Sequence, residues 1–186
     1  MQVRATTLPD ALVLAPVVYG DARGFFQETW RHDTFAAAGV DGDFVQDNHS
    51  RSSRGVVRGM HVQVDGVAKL VRCVRGEILD VLVDLRRGSP AYGRWEALTL
   101  DDREHLMVYA PVGFAHGFCV LSDVADVAYK QTGYYDAALE RCFAYDDPDV
   151  AIAWPEDLDL IVSERDRAAP RLRDVAAELP FTYAGP

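Results

Sequence analysis

Basic residues are scarce in this chain. Against 29 acidic residues there are 19 lysines and arginines, which leaves a formal net charge of −10 over 186 residues. A general nucleic-acid binder needs surplus Lys and Arg on its surface to meet phosphates, so this balance argues against that class. A small anionic ligand is still allowed. It needs only a local basic pocket, while the acidic exterior favours solubility. Long apolar runs are also missing, and none would span a bilayer. Residues Met1–Pro9 carry neither the basic start nor the apolar core of a secretory leader. The three cysteines, Cys73, Cys119 and Cys142, are odd in number and lack metal-ligand spacing. Two of them fall in strand-like apolar runs and read as small buried hydrophobes. Taken together, these absences predict a cytoplasmic protein with no nucleic-acid and no membrane partner.

Helical periodicity is rare as well, and repeats, low-complexity tracts and linkers are absent. What remains is strand texture. Leu70–Val74, Ile78–Val83, Trp95–Leu100, Met107–Ala110 and Gly117–Leu121 are Val-, Leu- and aromatic-rich runs at roughly ten-residue spacing. Turns fall at Arg75-Gly76, Arg86–Pro90, Asp101-Asp102 and Pro111–Gly113. Asp33–Ala38 predicts a short helix with Asp33 as its N-cap and Gly39 as its stop. With 49% hydrophobic residues, the expectation is one all-β domain over residues 1–186 with a substantial core. Its barrel lies at roughly 44–145, with short C-terminal helices at roughly 156–180.

The chemistry concentrates in RGMHVQ (Arg58–Gln63) and AKLVR (Ala68–Arg72). An arginine, a histidine and a lysine stand in apolar strand sequence, and burying each ion costs about several kcal/mol unless it is paired. Pro111, Gly113 and His116 form the P-x-G-x-x-H element of a second cupin motif. Where metal-binding cupins carry H-x-H, this chain has His61-Val62-Gln63. Glutamine is a poor transition-metal ligand beside imidazole. A zinc or iron held by His61, His116 and a third group therefore fits less well than a metal-free barrel.

Each candidate also has a plainer reading. His61 is a general base or a hydrogen-bonded core histidine. Lys69 shares a strand face with Val71 and Cys73, so it points inward to steady an oxyanion if those two pack in the core; otherwise it is solvated. Arg23 beside Phe25 and Phe26 suits an anion carrying a flat ring, unless both rings are plain core. Arg58 could clamp phosphate oxygens. Tyr129, Tyr134 and Tyr135 offer hydroxyls or stacking faces. Asp166 is a helix-terminal charge or the carboxylate that orients an imidazole.

Read in order, GDARGFFQETW (Gly20–Trp30), FVQDNHSRS (Phe44–Ser52), VVRGMHVQ (Val56–Gln63), KLVRCVRGEILDVLVDLRRGSPAYGRW (Lys69–Trp95), GFAHGF (Gly113–Phe118), YKQTGYY (Tyr129–Tyr135), IAWP (Ile152–Pro155) and SERD (Ser163–Asp166) resemble the dTDP-4-dehydrorhamnose 3,5-epimerase family nearly end to end. That resemblance implies a cofactor-free cupin-type jelly roll that works as a homodimer. Its substrate would be a dTDP-4-keto-6-deoxy sugar, inverted at C3 and C5 beside the ketone. It also implies roles: His61 as base with Asp166 as its dyad partner, Lys69 at the enolate oxygen and Tyr129 as acid on the opposite face. Arg23, Phe26, Glu28, Gln46, Asn48, Arg58, His116, Tyr135, Glu140 and Arg165 would contact the nucleotide sugar. The loop Val64–Ala68 is shorter than usual, and Met60 and Val62 replace the customary leucine and aromatic. Single-carbon epimerisation in an antibiotic-sugar pathway stays open, as does a non-catalytic sugar-nucleotide-binding cupin.

Overall fold

A computed structural model describes residues 1–185. Its elements run β1 (Gln2–Ala5), β2 (Leu12–Ala15), β3 (Val18–Asp21), β4 (Gly24–Gln27), α1 (His32–Ala37), β5 (Gln46–Ser53), β6 (Val56–Gln63), β7 (Lys69–Arg75), β8 (Glu77–Asp84), β9 (Trp95–Asp101), β10 (Met107–Ala110), β11 (Phe114–Val120), β12 (Val124–Gln131), β13 (Glu140–Cys142), β14 (Ile161–Val162), α2 (Glu164–Arg167) and α3 (Leu172–Val175). One sheet has the order β1-β2-β10-β7-β12-β5, and the other β13-β6-β11-β8-β9 with β14 alongside β6. Almost every pairing is antiparallel, and apart from β1–β2 and β8–β9 the neighbours in each sheet are not consecutive in sequence, as expected of a jelly roll. No helix among the described residues is long and apolar enough to cross a membrane.

Alternation within the strands explains how the layers pack. Val71, Cys73, Ile78, Leu82, Val108, Phe118 and Val127 face one another between the sheets. Each such burial contributes about 1.5–3 kcal/mol. The outer face of the β6–β11–β8 sheet is apolar too. There Met60, Val62, Val81 and Phe143 are covered by Leu172, Val175, Leu179 and Phe181 from the C-terminal segment. On the other sheet, Leu14, Leu70 and Met107 are covered by Phe35 and Val40. Cys73 and Cys119 are buried thiols, as their apolar context predicts.

Two local expectations need correcting. The N-cap of α1 is Arg31, not Asp33; Asp33 sits in the first turn, 2.7 Å from the Arg31 guanidinium. In the tail, the regular helices begin only at Glu164, because Ser163 caps that turn by accepting from the Asp166 N–H. β2 is paired on both sides, with β1 and β10, so β1 is the free edge at this end.

Candidate active site

Between the two sheets lies a cavity of about 510 Å³. Arg58 and His61 line it from β6, and His116 from β11. From the facing sheet come Lys69 of β7 and Tyr129 of β12, and Arg165 and Asp166 enter from α2. Seven residues expected from the sequence thus meet in one hollow, with the imidazole of His61 and the phenol of Tyr129 on opposite walls.

The presence of both Arg58 and His61 depends on a bulge. Residues three apart in a regular strand point to opposite faces. Here Arg58 pairs with Phe118 and His61 with His116, so Gly59 and Met60 together oppose Gly117 alone. The extra residue rotates His61 back to the side that Arg58 occupies. Gly59 has φ 138°, and a Cβ on it would lie 2.6 Å from the Gly117 Cα. Gly59→Ala is therefore expected to cost about 2 kcal/mol or more of stability, with the soluble fraction losing most activity. Thermal unfolding and turnover, measured side by side, check this.

The segment that carries the acid reaches His61 through backbone pairing. β14 runs parallel to β6, with Ile161 opposite Val56 and Val162 opposite Val57. The chain then turns at Ser163 into α2, and Asp166 Oδ1 lies 2.8 Å from His61 Nε2. Their side chains are 5% and 20% exposed. Burial pushes the Asp166 carboxyl up, but contacts with His61, Arg165 and the Gly59 N–H outweigh it and hold the group below the usual carboxylate range.

On the facing wall, burial pushes the Lys69 ammonium down, opposed by the charges of Glu140 and Asp80. Its Nζ stands 5.8 Å from the centre of the Tyr129 ring. Burial raises the Tyr129 phenol, as does Glu140, so it keeps its proton through neutral pH and can act as a donor. The His116 ring is fixed by Asp80, whose Oδ2 lies 2.7 Å from Nε2. The second oxygen of that fully buried carboxylate has no hydrogen-bond partner.

Gln46, Asn48, Tyr135 and Glu140, also expected, do not line the hollow but are joined to one another and to Arg165 by hydrogen bonds. Gln46 donates to Asn48 at 2.9 Å and accepts from the Tyr135 N–H at 2.9 Å. The Tyr135 hydroxyl donates to Glu140 at 3.3 Å, and Glu140 is bound to Arg165 at 2.5 Å. Arg23, Phe26 and Glu28 stand outside the hollow. Arg23 is 90% exposed and pairs only with Asp21 on the β3–β4 hairpin. Phe25 and Phe26 are 59% and 69% exposed, so the plain-core reading of these rings does not hold. Gln63, at the position of the missing metal-motif histidine, donates instead to Asp65 and to the Tyr134 carbonyl. Among the described residues, no group of three or more His, Cys, Asp or Glu side chains is arranged to hold a metal ion.

The model of the dTDP-4-dehydrorhamnose 3,5-epimerase family matches residues 5–174. The chain belongs to that family. It is 46% identical over 169 residues to the dTDP-4-dehydrorhamnose 3,5-epimerase of Neisseria gonorrhoeae, covering 90% of this chain and 52% of that protein, about half its length. A solved 3,5-epimerase from Legionella pneumophila in complex with dTDP-4-keto-L-rhamnose superposes with a TM-score of 0.95 at 41% identity, over 99% of each chain. A 3'-monoepimerase from Streptomyces bikiniensis in complex with dTDP-quinovose gives 0.89 at 38% identity, covering 96% of this chain and 92% of that one.

Sequence reasoning missed two of this epimerase-family chain's site residues. Asp80 orients His116, and Ser52 accepts from Arg58 Nε at 3.1 Å. Asp80 had left a signal, since a lone carboxylate between Leu79 and Val81 is as costly to bury as the lysine and histidine that did draw attention.

Proposed function

We propose that this chain inverts C3 and C5 of dTDP-4-dehydro-6-deoxy-D-glucose, giving dTDP-4-dehydro-L-rhamnose. The observation that carries this reading is the placing of His61 and Tyr129 on opposite walls of one hollow, with Lys69 beside Tyr129. The C–H bonds next to the C4 ketone are the acidic ones of such a sugar. His61 takes that proton on Nδ1, because Asp166 faces Nε2. The electron pair moves into the carbonyl, and the enolate oxygen that forms is met by the Lys69 ammonium. Tyr129 returns a proton to the carbon from the other face, which inverts the centre. The closing experiment is turnover in heavy water followed by proton NMR. Deuterium at both C3 and C5 of the product is the expected result. Deuterium at C3 alone would instead support the single-carbon reading, which the likeness to a 3'-monoepimerase keeps alive.

The exposed hairpin supports a homodimer as the working unit. Phe26, Arg23 and Glu28 are among the substrate contacts that the family resemblance implies, yet none of the three lines the His61 hollow of its own chain. Tyr19, Phe25 and Phe26 are exposed together, and the buried Gln27 Oε1 lacks a partner. A second copy, taking this hairpin over its own hollow, would cover the aromatics and complete the nucleotide end of the site. Mixing inactive His61→Asn with inactive Arg23→Ala protein then restores activity, since one hollow of each mixed dimer has both residues intact. Residues acting within one chain would give no recovery. The cytoplasm is the compartment proposed, where free thiols such as these persist.

A further inference from the structure

We propose that Arg165 is a positioning residue that keeps the His61 base in its unproductive tautomer until an anionic diphosphate draws the guanidinium away. The proposal rests on the reading of His61 as the base. His61 Nε2 lies 2.8 Å from Asp166 Oδ1 and also 2.8 Å from Arg165 Nη2. A neutral imidazole carries one N–H, and a guanidinium offers donors only. If Nε2 bears the proton it can donate to Asp166, but it then meets a second donor head-on at hydrogen-bond distance. If Nε2 accepts from Arg165, the proton sits on Nδ1, the nitrogen that must be bare to attack a C–H bond, and Asp166 Oδ1 is then met by Arg165 Nε, 3.3 Å away, in place of the imidazole N–H. The two contacts select opposite tautomers, so only one can last through a catalytic cycle.

The surroundings indicate which partner yields. Asp166 is 5% exposed and is tied through its N–H to Ser163 Oγ. The Arg165 side chain is 53% exposed and reaches the hollow from its mouth, steered by Glu140 at 2.5 Å. Burial lowers and its carboxylate neighbours raise the guanidinium, with a net upward shift, so it stays charged throughout. Among the described residues, Arg58, also lining the hollow, has only the Ser52 hydroxyl as a side-chain hydrogen-bond partner, at 3.1 Å. A diphosphate entering between Arg58 and Arg165 would meet two guanidinium forks, the geometry arginine offers to phosphate oxygens. Drawing Arg165 toward that charge frees Nε2 to bond Asp166 and leaves Nδ1 as the base. Proton abstraction is thereby tied to occupancy of the nucleotide end, and a keto-sugar without its diphosphate meets an unready histidine.

Nitrogen-15 NMR of the full-length protein, labelled in its histidines, tests this at pH 8, with His61→Asn assigning the ring signals. The expected result is a proton on Nδ1 in the free protein that moves to Nε2 on saturation with dTDP. Arg165→Gln should show Nε2–H with and without dTDP, a change that loss of a purely structural contact would not produce. Nε2–H in the free native protein, a doubly protonated ring there, or no change on adding dTDP would each overturn the proposal. Its failure is separable from failure of the base reading. If His61→Asn still exchanges substrate protons with solvent, the base reading fails; if that variant is inactive and the tautomer does not move, only the role of Arg165 is lost.

Discussion

His61→Asn is expected to lower turnover by about 10³–10⁴-fold, the usual contribution of a positioned general base. Both epimerisation and the exchange of substrate protons with solvent should vanish together, while substrate affinity changes little. The reason is geometric. Asparagine can still hydrogen-bond Asp166, so the bulge at Gly59 and the α2 turn lose little support. It has no basic nitrogen to receive the proton. Heavy-water exchange measured by NMR on the variant, with thermal unfolding as the folding control, checks the prediction. Exchange at near-native rates would assign the base elsewhere.

Tyr129→Phe is expected to divide the reaction into its halves. The variant keeps His61, Asp166 and Lys69, so a proton still leaves and the enolate oxygen is still met by an ammonium. Without the phenol, the carbon is reprotonated from the His61 side. Inverted product should fall by about 10²–10³-fold, while recovered substrate gains deuterium with its configuration retained. The loss of packing is small, because the ring stays in place and only the hydroxyl goes. A variant that loses exchange and inversion in equal measure would mean that Tyr129 acts in proton removal as well. The raised phenol of the native protein has a further consequence. Tyr129 remains a donor well above neutrality, so the alkaline limit of the rate belongs to Lys69 or Tyr129.

Much of this arrangement could be read from the chain because charge in apolar strands is conspicuous. Arg58, His61, Lys69 and His116 break runs of valine, leucine and phenylalanine, and all four line one hollow. The facing of Lys69 followed from strand alternation with Val71 and Cys73, both of which are buried in the shared core. Alternation failed where a single residue interrupts it. It leaves Arg58 and His61 on opposite faces, and only the bulge at Gly59 and Met60 reunites them. The glycine was the available clue, since an isolated glycine inside a strand marks a bulge or a close backbone approach. Asp80 obeys the same logic as Lys69, a charge set between apolar strand residues. Two features had no signal in sequence order. The contact of Arg165 with His61 spans 104 residues and depends on the parallel pairing of β14 with β6. The hairpin of Arg23 and Phe26 matched the family blocks, but a pattern of residues does not say where a side chain lies, and both stand outside the hollow of their own chain.

The measurement that bears most directly on a two-walled proton transfer is a crystal structure with a dTDP-linked 6-deoxy sugar in the hollow. The expected result is the sugar ring between His61 and Tyr129, one on each face, with the Lys69 Nζ within hydrogen-bond distance of the oxygen on C4. Both side chains on the same face of the ring, or a sugar seated outside the space they enclose, would contradict it.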